Sequence, residues 1–175
     1  MKKYLIKEIN FFKGNRKYVQ GPDIYDKITQ YYLSGGEYIK KIHFKNKIIN
    51  VPNLIFTKNK IPEENIISKL SCFGEIFESS KFISFFYLYN SDIKINKSKI
   101  YDEESMKSSF LLNLEKKEIQ FKNDKKFNCF STLEKIISMK KMMCTKIFSS
   151  EKKWIFTSLT IKEKFNTDLS SIKIS

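Results

Sequence analysis

From residue 18 to residue 36 the chain reads YVQGPDIYDKITQYYLSGG, the segment with the clearest helix start and helix stop in the sequence. Gly21 can serve as the N-cap, and Pro22 suits the first helical position because its missing N–H would have no partner there. Gly35 and Gly36 can adopt the left-handed conformation that ends many helices. These signals predict one long capped helix, against which a sheet can pack.

Most of the remaining chain has the composition or the alternation of β-strands. The predicted strands cover residues 4–12, 37–47, 51–58, 71–90, 105–114, 118–122 and 153–165. A hairpin turn is predicted at Ser79 and Ser80. A second helix is predicted over residues 131–147, because Ser131 and Glu134 have the spacing of a capping box. Since few strands are separated by a helix long enough for a parallel crossover, we expect an α+β fold. Its largely antiparallel sheet would pack against the first helix, with the second helix near the C-terminus.

The length of 175 residues fits a single domain, which we expect to cover residues 1–165, followed by a frayed tail at 166–175. A hydrophobic content of 41% with 30% charged residues is typical of a globular chain and not of a disordered one. No apolar run approaches the roughly 18 residues that a membrane span needs. We therefore expect no membrane span and a cytoplasmic protein.

The formal net charge is +14, but the kind of basic residue matters more than the total. Arg16 is the only arginine among 33 basic residues, and the chain has no alanine. This composition is typical of codon drift in an AT-rich genome, which raises the lysine content without selection for binding. Arginine, the residue that reads guanine edges and stacks on bases, is almost absent. The charge predicts nonspecific attraction to polyanions and does not by itself predict a nucleic-acid function.

Metal, disulfide and cofactor chemistry has little support in the sequence. The three cysteines, Cys72, Cys129 and Cys144, form no C-x-x-C pair, and His43 is the only histidine. A structural zinc site would need all four of these residues to converge. An odd number of cysteines also argues against a disulfide framework. The cysteines are predicted to be buried free thiols, and no metal or cofactor is predicted.

The usual catalytic motifs are missing, since the chain has no Gly-rich phosphate loop, no H-E-x-x-H and no G-x-S-x-G. The start of the first helix remains as a candidate site, because its free N–H groups can bind a carbonyl oxygen or an anion. The candidate catalytic residues are Gly21 and Asp26. The candidate substrate-binding residues are Tyr18, Gln20, Pro22 and Tyr25. The structural alternative is a well-formed helix start followed by a solvated carboxylate at Asp26.

This segment resembles the central helix of hotdog-fold dehydratases that act on acyl-carrier proteins. In that family the helix opens on a Pro-Gly step, and a catalytic Glu or Asp follows five residues after the glycine. Here Gly21 is followed by Pro22-Asp23-Ile24-Tyr25-Asp26. The resemblance implies a hotdog-like fold, in which the antiparallel sheet wraps around this helix, and a homodimer that binds an acyl thioester, either acyl-CoA or an acyl-carrier protein. The Gly21 N–H would polarise the thioester carbonyl, and Asp26 would act as the general base.

The sequence departs from the dehydratase pattern at one point. Those enzymes use a histidine on the segment before the glycine, where this chain has Phe11, Phe12, Lys13 and Tyr18. Related hotdog thioesterases work with a lone Asp or Glu and no histidine. The resemblance therefore implies thioester hydrolysis or plain acyl-thioester binding more than dehydration.

Two functions of other classes remain open. Six aromatic residues in the strongest β region suit a hydrophobic core, and they also suit a base-stacking platform. These residues are Phe73, Phe77, Phe82, Phe85, Phe86 and Tyr87. One alternative is thus a small basic nucleic-acid-binding module that uses lysines and these aromatics. The other is a protein-interaction or inhibitor module without catalysis.

Overall fold

The computed structural model describes residues 2–60, 64–122, 127–148, 157–162 and 171–174. The chain forms two compact units. The first unit comprises Met1–Ile100 and Thr157–Lys164, and the second comprises Tyr101–Phe156 and Phe165–Ser175. The chain thus passes from the first unit to the second, returns to the first and ends in the second. A single domain over residues 1–165 stays a prediction, because compactness does not test independent folding.

A six-stranded antiparallel sheet dominates the first unit. In spatial order its strands are β1 (Lys2–Leu5), β4 (Asn50–Thr57), β6 (Lys81–Lys94), β5 (Leu70–Glu78), β3 (Glu37–Phe44) and β10 (Ser158–Thr160). β5 and β6 form the central hairpin, and its turn lies at Ser79 and Ser80 as predicted. The connection from β4 to β5 contains the short helix α2 (Glu64–Ile67). Two further short strands, β2 (Phe11–Lys13) and β7 (Lys97–Lys99), form a separate parallel pair.

The first helix, α1 (Gly21–Tyr32), has 12 residues and is about 18 Å long. Its main strand contact is with β3, which lies next to one edge of the sheet. The unit is α+β with antiparallel pairing, but the predicted hotdog-like fold is wrong. A sheet cannot wrap around a helix that is this short and lies over one side of it. The central element is instead the β5–β6 hairpin, whose second strand has 14 residues.

The ends of α1 also differ from their prediction. The N-cap is Gln20 and not Gly21, and its side chain makes no capping hydrogen bond. At the other end the helix stops at Tyr32, and Leu33 is already extended, with φ −103° and ψ 144°. Neither of the two glycines that follow has a positive φ. The predicted left-handed stop is therefore wrong, because the chain leaves the helix in an extended conformation.

A β-bulge decides which side chains of β3 face the core. Ile39 and Lys41 pair with consecutive residues of β5, so Lys40 is the extra residue. Ile39 and Ile42 consequently lie on the same face of the sheet, and both are fully buried. Simple alternation would place them on opposite faces. α1 covers this face. At the β1 edge of the sheet, the ring of Tyr32 in α1 contacts the ring of Tyr4 in β1.

The second unit has its own sheet, in the order β11 (Ser171–Ile174), β9 (Glu118–Lys122) and β8 (Phe110–Asn113), and two helices, α3 (Glu103–Lys107) and α4 (Thr132–Ile147). Seven buried apolar side chains form its core: Met106, Phe110, Ile119, Phe121, Phe127, Met139 and Met143. α4 has 16 residues and packs on β9 and β11.

Local signals in this unit were partly right. The capping box of α4 is confirmed, since the Glu134 N–H donates to Ser131 Oγ at 3.2 Å and the Ser131 N–H donates to Glu134 Oε2 at 2.9 Å. The predicted strand 105–114 is wrong in its first part, where Asp102 caps α3 by accepting from the Ser105 N–H at 3.0 Å. Of the predicted tail 166–175, residues 171–174 form β11, and the rest lie outside the described residues. Of the predicted strand 153–165, only residues 157–162 are described, and they contain β10.

Candidate functional site

The start of α1 brings together the residues that the sequence singled out, and three of the six are buried. Pro22 and Tyr25 are buried, and Gln20 is 8% exposed. Gly21, Asp26 and Tyr18 are half-buried. The amide nitrogen Nε2 of Gln20 has no hydrogen-bond partner among the described residues. Because a buried donor without a partner costs roughly 1–3 kcal/mol, this nitrogen is suited to an acceptor supplied by a ligand.

The charge at this helix start is set by an ion pair that the sequence did not reveal. Asp23, in the first turn, lies 2.7 Å from Lys13 of β2. A carboxylate in the first turn is stabilised by the positive end of the helix dipole. An anionic ligand arriving at the same place would meet this carboxylate. The site therefore favours a neutral acceptor, such as a carbonyl oxygen, over a phosphate.

The two predicted catalytic residues lie on different sides of the helix. Asp26 follows Gly21 by about 7.5 Å along the axis and about 140° around it. Between them, burial raises the pKa of Tyr25 to about 12, so its phenol is neutral at ordinary pH. Tyr18 lies outside the helix with the Lys47 ammonium 5.5 Å from its ring centroid. The catalytic and substrate-binding roles of these residues stay predictions.

A second candidate site lies on the sheet face that α1 does not cover. We call it the aromatic face and define it by four side chains of β5 and β6, namely Phe73, Phe77, Phe82 and Phe85. Cross-strand pairing puts them on one side, since Phe77 pairs with Phe82, while Phe85 pairs with Glu75, the residue midway between the other two. Phe86 belongs to the opposite, helix-covered side and is fully buried.

Three of these rings form a continuous row. The centroids of Phe77 and Phe82 are 5.7 Å apart in an edge-on contact, and those of Phe82 and Phe85 are 4.7 Å apart. Phe82 is 37% exposed, and the other two rings are half-buried. A bulge at Ile83 creates the row, because consecutive residues of β5 pair with positions 84 and 82. Without that extra residue, Phe82 and Phe85 would point to opposite faces.

Lysine ammonium groups lie over rings of the same sheet face. The Lys40 Nζ is 4.2 Å from the ring centroid of Phe77, and the Lys3 Nζ is 5.6 Å from that of Tyr89. A hydrogen bond with the Tyr89 side chain raises the pKa of Lys3. Lys41 lies on this face as well, and its cross-strand neighbour on β5 is Glu75. Positive charge therefore stands next to π surfaces rather than apart from them.

Two tyrosines mark where this sheet face becomes buried. Tyr87 is 3% exposed, and its hydroxyl donates to the main-chain oxygens of Asn59 and Lys60 in the β4–β5 connection. Tyr38 is buried on β3, and its hydroxyl donates at 3.0 Å to a main-chain oxygen in the β5–β6 turn. The accessible rings of the aromatic face lie between these tyrosines, and His43 stacks on one of them at a centroid distance of 5.0 Å.

The sequence identified these aromatic residues but did not show which of them are buried. It grouped six residues as suited either to a hydrophobic core or to a stacking platform, whereas the structure buries Phe86 and Tyr87 and leaves the other four at least partly accessible. Strict alternation would have separated Phe85 from Phe86. No local signal marks the bulge at Ile83, which brings Phe82 onto the same side.

The thiols and possible metal ligands add no further site. Cys72 is buried, but Cys129 is exposed, so its predicted burial is wrong. Over the described ranges, no group of three or more His, Cys, Asp or Glu side chains could hold a metal ion. No helix in the described part of the chain is long and apolar enough to cross a membrane. The cytoplasmic location and the homodimer stay predictions.

Comparison with known proteins leaves the aromatic face and the start of α1 as the two candidates, without a relative to choose between them. No family model matches the sequence, no curated protein matches it, and no solved structure matches the fold.

Proposed function

We propose that this protein binds single-stranded nucleic acid along the aromatic face. The observation that carries the proposal is the row Phe77, Phe82 and Phe85 with the Lys40 ammonium over its first ring. Proteins that bind single strands without strong sequence preference combine aromatic side chains, on which bases stack, with a positively charged surface that follows the backbone. Both elements occur here on one sheet face.

The total charge of the chain is weaker support than the position of particular lysines. With 33 basic residues and a net charge of +14, the chain would have a positive surface whatever its function. Lys40, Lys3 and Lys41, however, lie on the same side of the sheet as the accessible rings. A ligand stacked on those rings would place its phosphates near these ammonium groups. The favoured ligand is therefore a strand with exposed bases and a charged backbone, not an apolar peptide.

The proposal predicts a measurable dependence on salt. If Lys3, Lys40 and Lys41 each neutralise one phosphate, the slope of log K against log salt is about −2 for a single strand. Fluorescence anisotropy with a labelled single strand of about 12 nucleotides, a length within the usual range of such sites, measures this slope. A duplex of the same sequence should bind more weakly, because its bases are already stacked.

Substitution of the rings separates base stacking from charge attraction. Phe82→Ala should weaken single-strand binding by roughly 1–3 kcal/mol, the usual value of one base–aromatic stack. Tyr31→Ala is the matched control, because Tyr31 is an exposed aromatic under a lysine, Lys27, but lies on α1. Equal losses of affinity in both variants, or no loss in either, would contradict the proposal. Any remaining binding would then be nonspecific attraction to a lysine-rich surface. Phe82→Leu tests whether an apolar side chain of similar bulk suffices.

Acyl-thioester binding at the start of α1 is a second candidate, supported by Gln20 Nε2, which precedes Gly21 and has no hydrogen-bond partner in the described part of the chain. A thioester carbonyl is the kind of neutral acceptor that this donor and the free N–H groups of the first turn would bind. The substrate would be acyl-CoA or an acyl-carrier protein, with Asp26 as the general base. Asp26→Asn should abolish thioester hydrolysis while the circular dichroism spectrum stays unchanged. Turnover equal to the unmodified protein would remove the catalytic role of Asp26.

A further inference from the structure

Glu75 is an acidic residue at the centre of the aromatic face. It lies on β5 between Phe73 and Phe77, each two residues away, and its neighbours across the two adjacent strands are Phe85 and Lys41. Its side chain is half-buried. A carboxylate at this position would repel a phosphate backbone, because it places negative charge among three rings and a lysine. It therefore needs an explanation other than charge attraction.

The carboxylate of Glu75 is not used by the fold in the described part of the chain. Its cross-strand neighbour Lys41 has the right charge, but no hydrogen bond or ion pair within 4.0 Å joins the two. Glu134 and Glu103, two other half-buried or buried glutamates, each accept a hydrogen bond from a serine. The two oxygens of Glu75 can therefore accept hydrogen bonds from a ligand.

We infer that Glu75 selects guanine among the bases that stack on the aromatic face. This inference rests on the proposed single-strand binding and adds a base preference to it. A carboxylate offers two acceptor oxygens and no donor. The Watson–Crick edge of guanine presents two adjacent N–H donors, N1–H and N2–H, which match these oxygens in parallel. Adenine and cytosine present one amino group beside an acceptor nitrogen, and thymine and uracil present one N–H between two carbonyls.

The position of Glu75 suits this contact. Single-stranded bases that stack on aromatic rings keep their Watson–Crick edges free for hydrogen bonds. Glu75 is the cross-strand neighbour of Phe85 and lies two residues from Phe77, so a base stacked on either ring would have its edge near the carboxylate. A bidentate contact between a side chain and a base edge discriminates roughly 5- to 150-fold against the wrong base.

Three oligonucleotides test the inference at the level of single atoms. The first is an all-thymine strand, the second has one central guanine, and the third has inosine in place of that guanine, which removes only the N2 amino group. We expect the guanine strand to bind roughly 5- to 150-fold more tightly than the thymine strand. The inosine strand should lose most of this gain. Glu75→Gln should bring the guanine strand close to the thymine strand without weakening the latter.

Glu78→Gln is the matched control, because Glu78 is an exposed residue of the same strand that lies outside the aromatic face. It should leave the guanine preference intact. Equal binding of the guanine and thymine strands, or a guanine preference that survives Glu75→Gln, overturns the inference while the proposed function stands. Failure of all three strands to bind overturns the proposed function itself. A purely structural Glu75 would change the unfolding midpoint and not the ratio of the two affinities.

Discussion

The Lys13 ammonium lies 2.7 Å from the Asp23 carboxylate, and the two side chains are only 14% and 10% exposed. This pair ties the short strand β2 to the first turn of α1. The Asp23 carboxylate also lies at the positive end of the helix dipole, where an anionic ligand would otherwise bind. Burial determines how much the pair matters for stability. Charges shielded from water attract each other more strongly, and a buried charge without an opposite charge is more destabilising.

Removing one partner of this pair should be more damaging than removing both. We expect Asp23→Ala to lower the free energy of unfolding by about 3 kcal/mol, since it removes the carboxylate that lies 2.7 Å from the largely buried Lys13 ammonium. The double variant Lys13→Met with Asp23→Leu should recover most of that loss. Urea unfolding of the unmodified protein, the single variants Lys13→Met and Asp23→Leu, and the double variant gives the coupling energy. Glu104→Gln, which breaks a pair whose carboxylate is 83% exposed, should cost less than about 1 kcal/mol. A loss in the double variant as large as in Asp23→Ala would contradict this account.

Tyr25 should make the protein less stable in alkali. Burial raises its pKa to about 12 in the folded state, whereas a phenol in the unfolded chain titrates near 10. Below pH 10 the group is neutral in both states and adds no pH dependence. Between pH 10 and 12 the unfolded chain loses the proton first, so the free energy of unfolding falls by up to about 1.4 kcal/mol per pH unit. Tyr25→Phe should flatten this decline, and the exposed-site control Tyr31→Phe should not. Parallel curves for Tyr25→Phe and the unmodified protein would count against burial as the cause.

Gly74 should tolerate no larger side chain. A Cβ built on it would overlap the Lys41 carbonyl oxygen and lie 2.5 Å from the ring of Phe86. Since main chain and a fully buried ring cannot move aside easily, Gly74→Ala should destabilise by roughly 1–3 kcal/mol. Gly35→Ala is the control, because a Cβ there meets no atom within 4 Å. Gly35→Ala should change the free energy of unfolding by less than about 1 kcal/mol. The expected sign is an increase, because alanine lowers the conformational entropy of the unfolded chain. Thermal unfolding of the two variants measures the contrast, and equal midpoints would show that the sheet adjusts around Gly74.

The capping box should contribute to the stability of α4. Ser131→Ala removes the side chain that accepts from the Glu134 N–H, and caps of this type are worth about 1 kcal/mol. Thr145→Ala, an exposed change inside the same helix, should be neutral or slightly stabilising because alanine has the higher helix propensity. Hydrogen exchange of the α4 amides reports the difference. Faster exchange in β4 and β6 of the first unit, with α4 unchanged, would be the opposite of this expectation.

The sequence predicted those elements whose signals are local. The hairpin turn at Ser79 and Ser80 and the capping box at Ser131 depend on neighbouring residues, and the structure confirms both. Strand order and the side on which a helix packs depend on contacts between distant segments. The twelve residues of α1 looked like the centre of the fold because its ends are so clearly marked. A well-marked helix is not necessarily a central one, and here a hairpin holds the centre.

The candidate sites show the same division. Gly21, Pro22 and the other residues at the start of α1 could be named in advance, but the Lys13 partner of Asp23 could not, since no pattern joins a strand residue to a first-turn carboxylate. The aromatic face depends on two bulges, at Lys40 and Ile83. Each shifts the alternation by one residue, and so each reverses which side chains a simple period-two pattern would expose.

The path of the chain between the two units has a consequence for folding during synthesis. β10 pairs with β3, and β11 pairs with β9, so each sheet takes one strand from the segment after residue 157. A ribosome adds about 5–20 residues each second, and folding of a domain commonly begins while the chain is still being made. Here β3 and β9 wait with one open hydrogen-bonding edge until residues 158–174 have been added. The nascent protein therefore exposes two unpaired strand edges at the same stage, which is when chaperones, or another copy of the chain, can compete for them.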